Sequence, residues 1–187
     1  MLRTPAFEGF IAPARAYPAF WRILAATVTG VMVYALGAAA VLKFAIKPLA
    51  YFFPELAGMD AFSLLNANGI SPGQMAIILT TFIPMGLAAF VMAAWHWRGP
   101  LSLFGAGSGF FRNFMIAIAV LAVANIILFA VERMFGVVNY KPNLEFGVWA
   151  KHLIWAVPLL FIQTTSEELV FRGYFQQQLA ARFKNPF

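Results

Sequence analysis

The chain has 187 residues, of which 62% are hydrophobic and only 11% charged, with 21 Phe and 5 Trp. Soluble domains carry about 25% charged residues, so this chain has too little polar surface to cover a water-soluble globule and belongs in a bilayer. The net charge of +6 comes from 13 Lys and Arg scattered between apolar runs, a membrane-flanking pattern rather than a nucleic-acid-binding face, and the lack of cysteine excludes disulfides, thiol nucleophiles and Cys-based metal sites.

Residues 1–18 (MLRTPAFEGFIAPARAYP) lack the apolar core and cleavage site of a signal peptide and read as a cytosolic, partly amphipathic leader. The first apolar segment, about 21–46, then acts as an uncleaved anchor and breaks at Lys47-Pro48. PELAGMDAF (54–62) reads as an amphipathic loop without chemistry. A second segment opens at Ser71-Pro72-Gly73, with Ser71 as N-cap and proline in the first turn. It ends in the interfacial WHWRGP at 95–100, where His96 reads as an interfacial histidine among tryptophans. The third covers about 113–131, with Asn125 expected to make an interhelical hydrogen bond. The fourth runs from Phe146 past Ser166. Its Pro158 either opens a cavity by kinking the helix or is one of the prolines that membrane helices commonly carry. Each segment reaches the roughly 20 residues that cross about 30 Å of hydrocarbon. The predicted fold is all-α, a polytopic membrane helix bundle in one membrane domain, with about four transmembrane helices.

With the N-terminus inside, eight of the 13 Lys and Arg fall on the cytoplasmic side: Arg3, Arg15, Arg22, Arg98, Arg112, Arg172, Arg182 and Lys184. The other five (Lys43, Lys47, Arg133, Lys141 and Lys151) fall opposite, so the bias points the N-terminus inward, toward the cytoplasm. From Phe146 to Glu167 is roughly 32 Å at about 1.5 Å per residue, which places Glu167 and Glu168 at the inner edge of the membrane or slightly within it.

TTSEELVFRGYF (164–175) sets two adjacent carboxylates in a chain with few charges. Helical residues four apart share a face. Thr164, Glu168 and Arg172 therefore form one stripe, and Gln163, Glu167 and Phe171 the next. Glu168 precedes Arg172 by the favourable ion-pair spacing, whereas Glu167, about 100° round the helix, meets no cation. A helix leaving the bilayer with a surface ion pair accounts for Glu168 and Arg172 but poorly for Glu167. Apolar residues continue past the pair, and a carboxylate in that setting either pairs or has its pKa raised by desolvation, the usual form of a general base near a cleft. Gln163, Thr164, Thr165 and Ser166 line the approach, either as partners of the carboxylates or as caps for backbone groups.

SEELVFRGYFQQQL, with its Glu167-Glu168-x-x-x-Arg172 core, closely resembles the first signature of the CAAX prenyl protease and bacteriocin-processing family of intramembrane endopeptidases. The following ARFKNPF resembles the turn that leads that family into its next membrane helix. The specific likeness covers about residues 161–187; the upstream helices agree in kind. The resemblance implies a polytopic helical protease in the inner membrane that acts on a peptide or protein substrate. Its motif glutamate activates a water, here Glu167, with Glu168 and Arg172 as the pair that holds it. In the family that glutamate works with histidines of later F-x-x-x-H and H-x-x-x-N/D motifs, and members are often described as metal-dependent.

The two histidines here, His96 and His152, both precede the motif and neither stands in F-x-x-x-H. A divalent metal such as zinc would need ligands from outside these residues, because two carboxylates alone make a poor zinc site. The chain therefore reads as the front part of a larger bundle that continues past Phe187. The alternative is a short, non-catalytic module, such as a bacteriocin immunity or partner-binding protein.

Overall fold

A computed structural model describes residues 4–66, 71–105, 109–136 and 145–183; Arg3, Lys141, Lys184 and the Asn185-Pro186-Phe187 terminus lie outside them. It is 83% helical, with no strand among the described residues, so the fold is all-α. Four helices are long and apolar enough to cross a membrane: Phe20–Phe44, Pro72–Ala94, Phe111–Met134 and Phe146–Arg182. Most of their large apolar side chains lie exposed, from Leu24 and Met32 to Ile154 and Phe161. A surface of that kind is solvated by lipid, and the chain is a membrane protein.

The chain divides into two compact units, residues 106–149 and the remainder. The larger begins with the leader. Thr4 caps α1 (Pro5–Ile11) by accepting from Phe7 N–H, Pro5 sits in the first turn, and a 3₁₀ turn follows over Ala12–Ala16. The leader is amphipathic as expected: Ile11 and Ala14 are fully buried, whereas Glu8 and Arg15 pair on the outside. The long helix α2 (Phe20–Phe44) ends three residues before the predicted break at Lys47-Pro48, which instead lies within the short α3 (Ile46–Leu49); a 3₁₀ turn (Pro54–Leu56) and α4 (Ala61–Asn66) follow.

The return span begins with the predicted cap, which proves to be a full capping box. Gln74 N–H donates to Ser71 Oγ at 3.3 Å, and Ser71 N–H donates to Gln74 Oε1 at 2.7 Å. The span is split into α5 (Pro72–Thr80) and α6 (Phe82–Ala94) at Thr81. Pro84 causes the split: it has no N–H to donate, and its ring crowds the carbonyl four residues back, that of Thr80. Thr81 Oγ1 bonds the Ile78 carbonyl at 2.6 Å, which satisfies part of what the break exposes.

Small residues let α2 and α6 pack closely, as is usual where lipid supplies no hydrophobic drive between helices. A Cβ added at Gly37 would lie 2.5 Å from Pro84 Cβ, and one at Gly30 2.6 Å from Met92 Cγ and Sδ. A rigid ring cannot yield, whereas a thioether chain can swing. Gly37→Ala should therefore destabilise the fold by about 1–3 kcal/mol. Gly30→Ala should cost less, because part of its strain is relieved and alanine favours helix by about 0.5–1 kcal/mol. Unfolding titrations in mixed micelles compare the two, and equal losses would contradict this packing.

In the smaller unit α7 (Phe110–Met134) follows Gly109, whose φ of 77° is the left-handed conformation glycine permits. Asn125 bonds within its own helix. Its Nδ2 donates to the Leu121 carbonyl of its own helix at 2.8 Å, the local bond open to a short polar side chain. The last span is α8 (Phe146–Glu168), a π-helical segment (Leu169–Gln176) and α9 (Gln177–Arg182). Pro158 lies inside α8, which runs unbroken past it.

Candidate functional site

The carboxylates stand at the junction of α8 and the π segment. Arg172 Nη1 donates to Glu168 Oε2 at 2.9 Å, the pair predicted from the spacing. Its side chains are 68% and 50% exposed, so in water the pair contributes at most about 1 kcal/mol. It orients Glu168 more than it stabilises the fold. Glu167 is half-buried and meets no cation among the described residues, but Gln163 Nε2 donates to its Oε1 at 3.3 Å. Of the other approach residues, Thr164 Oγ1 bonds back to the Leu160 carbonyl and serves the backbone. Ser166 is buried against Gly86, where an added Cβ would lie 2.9 Å from Ser166 Oγ. Gly86 thus admits Ser166 to α6 and fixes α8 one residue before Glu167.

Past Glu168 the α-helix gives way to eight residues of π-helix, Leu169–Gln176. Such wide turns cost hydrogen-bond quality and recur at functional sites. The physical reason here is packing. Gly173 lies against the 3₁₀ turn Pro100–Leu103, and a Cβ on it would come 2.7 Å from the Leu103 carbonyl oxygen. The buried positions then come in pairs four apart: Leu169 and Val170, Gly173 and Tyr174, Gln177 and Gln178. In an α-helix Glu167 and Tyr174, seven residues apart, would face within about 20° of each other. The wide turns break that register.

Below the carboxylates lies a buried polar network that the sequence reading missed. His96 is a correction: it is 1% exposed, not an interfacial histidine. Its Nδ1 lies 2.8 Å from the Tyr17 carbonyl and its Nε2 3.0 Å from Tyr174 Oη. A carbonyl only accepts, so Nδ1 carries the proton and Nε2 accepts from the tyrosine. Arg98, also buried, donates through Nε to Ser102 Oγ (3.2 Å) and through Nη2 to the Ser102 carbonyl (3.3 Å) and to Gln177 Oε1. Burial pulls its guanidinium down to about 10.

A turn aims both side chains inward. Trp97 N–H bonds the Ala94 carbonyl (2.9 Å) and Arg98 N–H reaches the Ala93 carbonyl (3.2 Å), the paired bonds of a Schellman motif. Trp97 holds the left-handed position, φ 54°, where glycine is usual. It is 77% exposed while its neighbours on both sides are buried. A tryptophan there costs of order 1–3 kcal/mol of backbone strain. The leader is fastened by the His96–Tyr17 bond and by Arg182 Nη1, which donates to the Pro18 carbonyl (3.2 Å), while Arg22 Nη1 of α2 donates to the Trp95 carbonyl (2.8 Å).

Burial, aided by the Arg98 and Arg22 charges, holds the His96 imidazole below its usual range against the pull of the Tyr17 carbonyl. The unfolded chain then binds the proton more readily, so this contribution to stability is present above about pH 6.5 and is lost on acidification. Thermal unfolding in detergent should show a falling midpoint from pH 7.5 to 5.5, flattened in His96→Asn. A flat wild-type profile would contradict a buried neutral histidine.

The metal that the resemblance implies finds no fitting donors in these residues. Glu168 is engaged by Arg172, His96 by Tyr17 and Tyr174, and His152 Nδ1 accepts from Trp155 Nε1 at 3.2 Å. The described residues contain no group of three or more His, Asp or Glu able to hold an ion. No family model, curated protein or solved structure matches the chain. The fold and site define a polytopic α-helical membrane protein with an acidic helix junction.

Proposed function

We propose that the chain belongs to an intramembrane peptidase of the CAAX protease type that cleaves a peptide bond near the cytoplasmic face of the inner membrane. What carries this reading is the division between two adjacent carboxylates at one helix junction. Glu168 is held by Arg172, while Glu167 is half-buried and engaged only through Oε1, by an uncharged amide. In the proposed reaction Glu167 takes a proton from water as the oxygen bonds to the scissile carbonyl carbon. The carbon–nitrogen bond then breaks as that proton passes to the leaving amine. Glu168 and Arg172 act by position, keeping the junction in register. The excess of Lys and Arg on the leader side supports an N-terminus in the cytoplasm.

A second reading, a non-catalytic immunity or partner-binding protein, is favoured by the employment of both histidines elsewhere. The product of the full reading frame, reconstituted in vesicles with a peptide library, separates the two. New peptide termini found by mass spectrometry support the peptidase; none above protein-free vesicles supports the binding protein.

A further inference from the structure

At the end of the larger unit opposite the leader lies a second polar feature, unconnected with the carboxylate junction. A cavity of about 630 Å³ opens between the chain after α3, the start of α5 and the first half of α8. That volume is in the range of small-ligand sites. Phe52, Phe53 and Trp155 form its apolar wall, with Phe53 and Trp155 edge to face at 5.3 Å. Lys151 and His152 line it from α8 and Glu55 lines it from the facing 3₁₀ turn.

The polar groups are of two kinds on two elements. Lys151 has no ion pair among the described residues. His152 Nδ1 accepts from Trp155 Nε1, which puts its own proton on Nε2 as a further donor. Glu55 Oε1 accepts from Gly73 N–H at 2.9 Å in the first turn of α5, which holds the carboxylate in place and leaves Oε2 as an acceptor. A cation and an N–H on one side, a carboxylate on the other and aromatic rings beside them complement a ligand with an anionic and a cationic end. Ammonium groups also favour aromatic faces. The cavity lies where α2 ends and α8 begins, at the level where membrane proteins concentrate aromatic anchors, so the ligand it meets there is an amphiphile.

We propose that this cavity binds the headgroup of a zwitterionic phospholipid, with phosphate on Lys151 and His152 and a primary ammonium on Glu55. This proposal does not rest on peptidase activity. Native mass spectrometry of the detergent-solubilised protein tests it, with phosphatidylethanolamine, phosphatidylglycerol of the same chains and soluble phosphoethanolamine as probes. The wild type should retain phosphatidylethanolamine about tenfold better than phosphatidylglycerol, the size of one charge-assisted hydrogen bond. Lys151→Gln should lower retention of both lipids. Glu55→Gln keeps an oxygen for Gly73 N–H and should abolish the preference while phosphatidylglycerol still binds. Equal retention of the two lipids by the wild type, or unchanged retention in Lys151→Gln, would overturn the proposal. Phosphoethanolamine binding as tightly as the lipid would overturn the membrane source and assign the cavity to a soluble zwitterion.

Discussion

Glu167→Gln should lower peptide-bond cleavage by about 10²–10⁴-fold, the usual contribution of a general base, while the protein still inserts and melts as the wild type does. The substitution is nearly isosteric. Gln163 Nε2 now donates to Glu167 Oε1, and the amide oxygen of a glutamine can accept the same bond. Packing is also kept, because the anchor beside it is Ser166 against Gly86 rather than the carboxylate itself. What is lost is the ability to take a proton. Steady-state cleavage of a fluorogenic peptide, with a melting curve on the same preparation, checks both halves. Retained activity would remove Glu167 from the role of base.

Gly173→Ala should destabilise the protein by about 1–3 kcal/mol, the cost of overpacking a fitted contact. An alanine normally gains about 0.5–1 kcal/mol over glycine inside a helix, so the expected loss runs against propensity. The added methyl would meet Leu103, with the carbonyl oxygen at 2.7 Å and Cβ at 3.1 Å. Backbone on both sides leaves no flexible chain end to give way. The π segment must then move, carrying Tyr174 off His96 and Gln177 off Arg98 and Ser102. Cleavage should fall with stability, since the carboxylate junction is continuous with that segment. Gly147→Ala is the control, because a Cβ there meets nothing within 4 Å and the substitution should be neutral or stabilising. A lower melting temperature in Gly173→Ala alone is the expected pattern; equal melting of the two variants would contradict the close approach.

The features legible in the sequence were those written in local spacing. Ser71 and Gln74 are three residues apart and Glu168 and Arg172 four, so helix geometry alone pairs them. The four spans follow from apolar length. Asn125 was legible as polar, but its bond to the Leu121 carbonyl of its own helix was not. The π segment escaped notice because its cause is non-local, the pressure of Leu103 on Gly173. His96 and Tyr174 lie 78 residues apart, and no spacing rule joins them. Trp97 actively misled, since the left-handed turn that buries His96 and Arg98 is normally announced by glycine. One signal was present: Gln176-Gln177-Gln178 follows an aromatic run in a chain poor in polar residues. Polar groups are expensive at membrane depth and rarely sit there unpaired.

In the proposed mechanism Glu167 activates a water instead of attacking the peptide itself. A single turnover in ¹⁸O-water tests this most directly. The expected result is ¹⁸O in the new C-terminal carboxylate of the product and none in the Glu167 side chain. Label in Glu167 would reveal a covalent acyl intermediate, and absence of labelled product from the intact protein would contradict the peptidase reading.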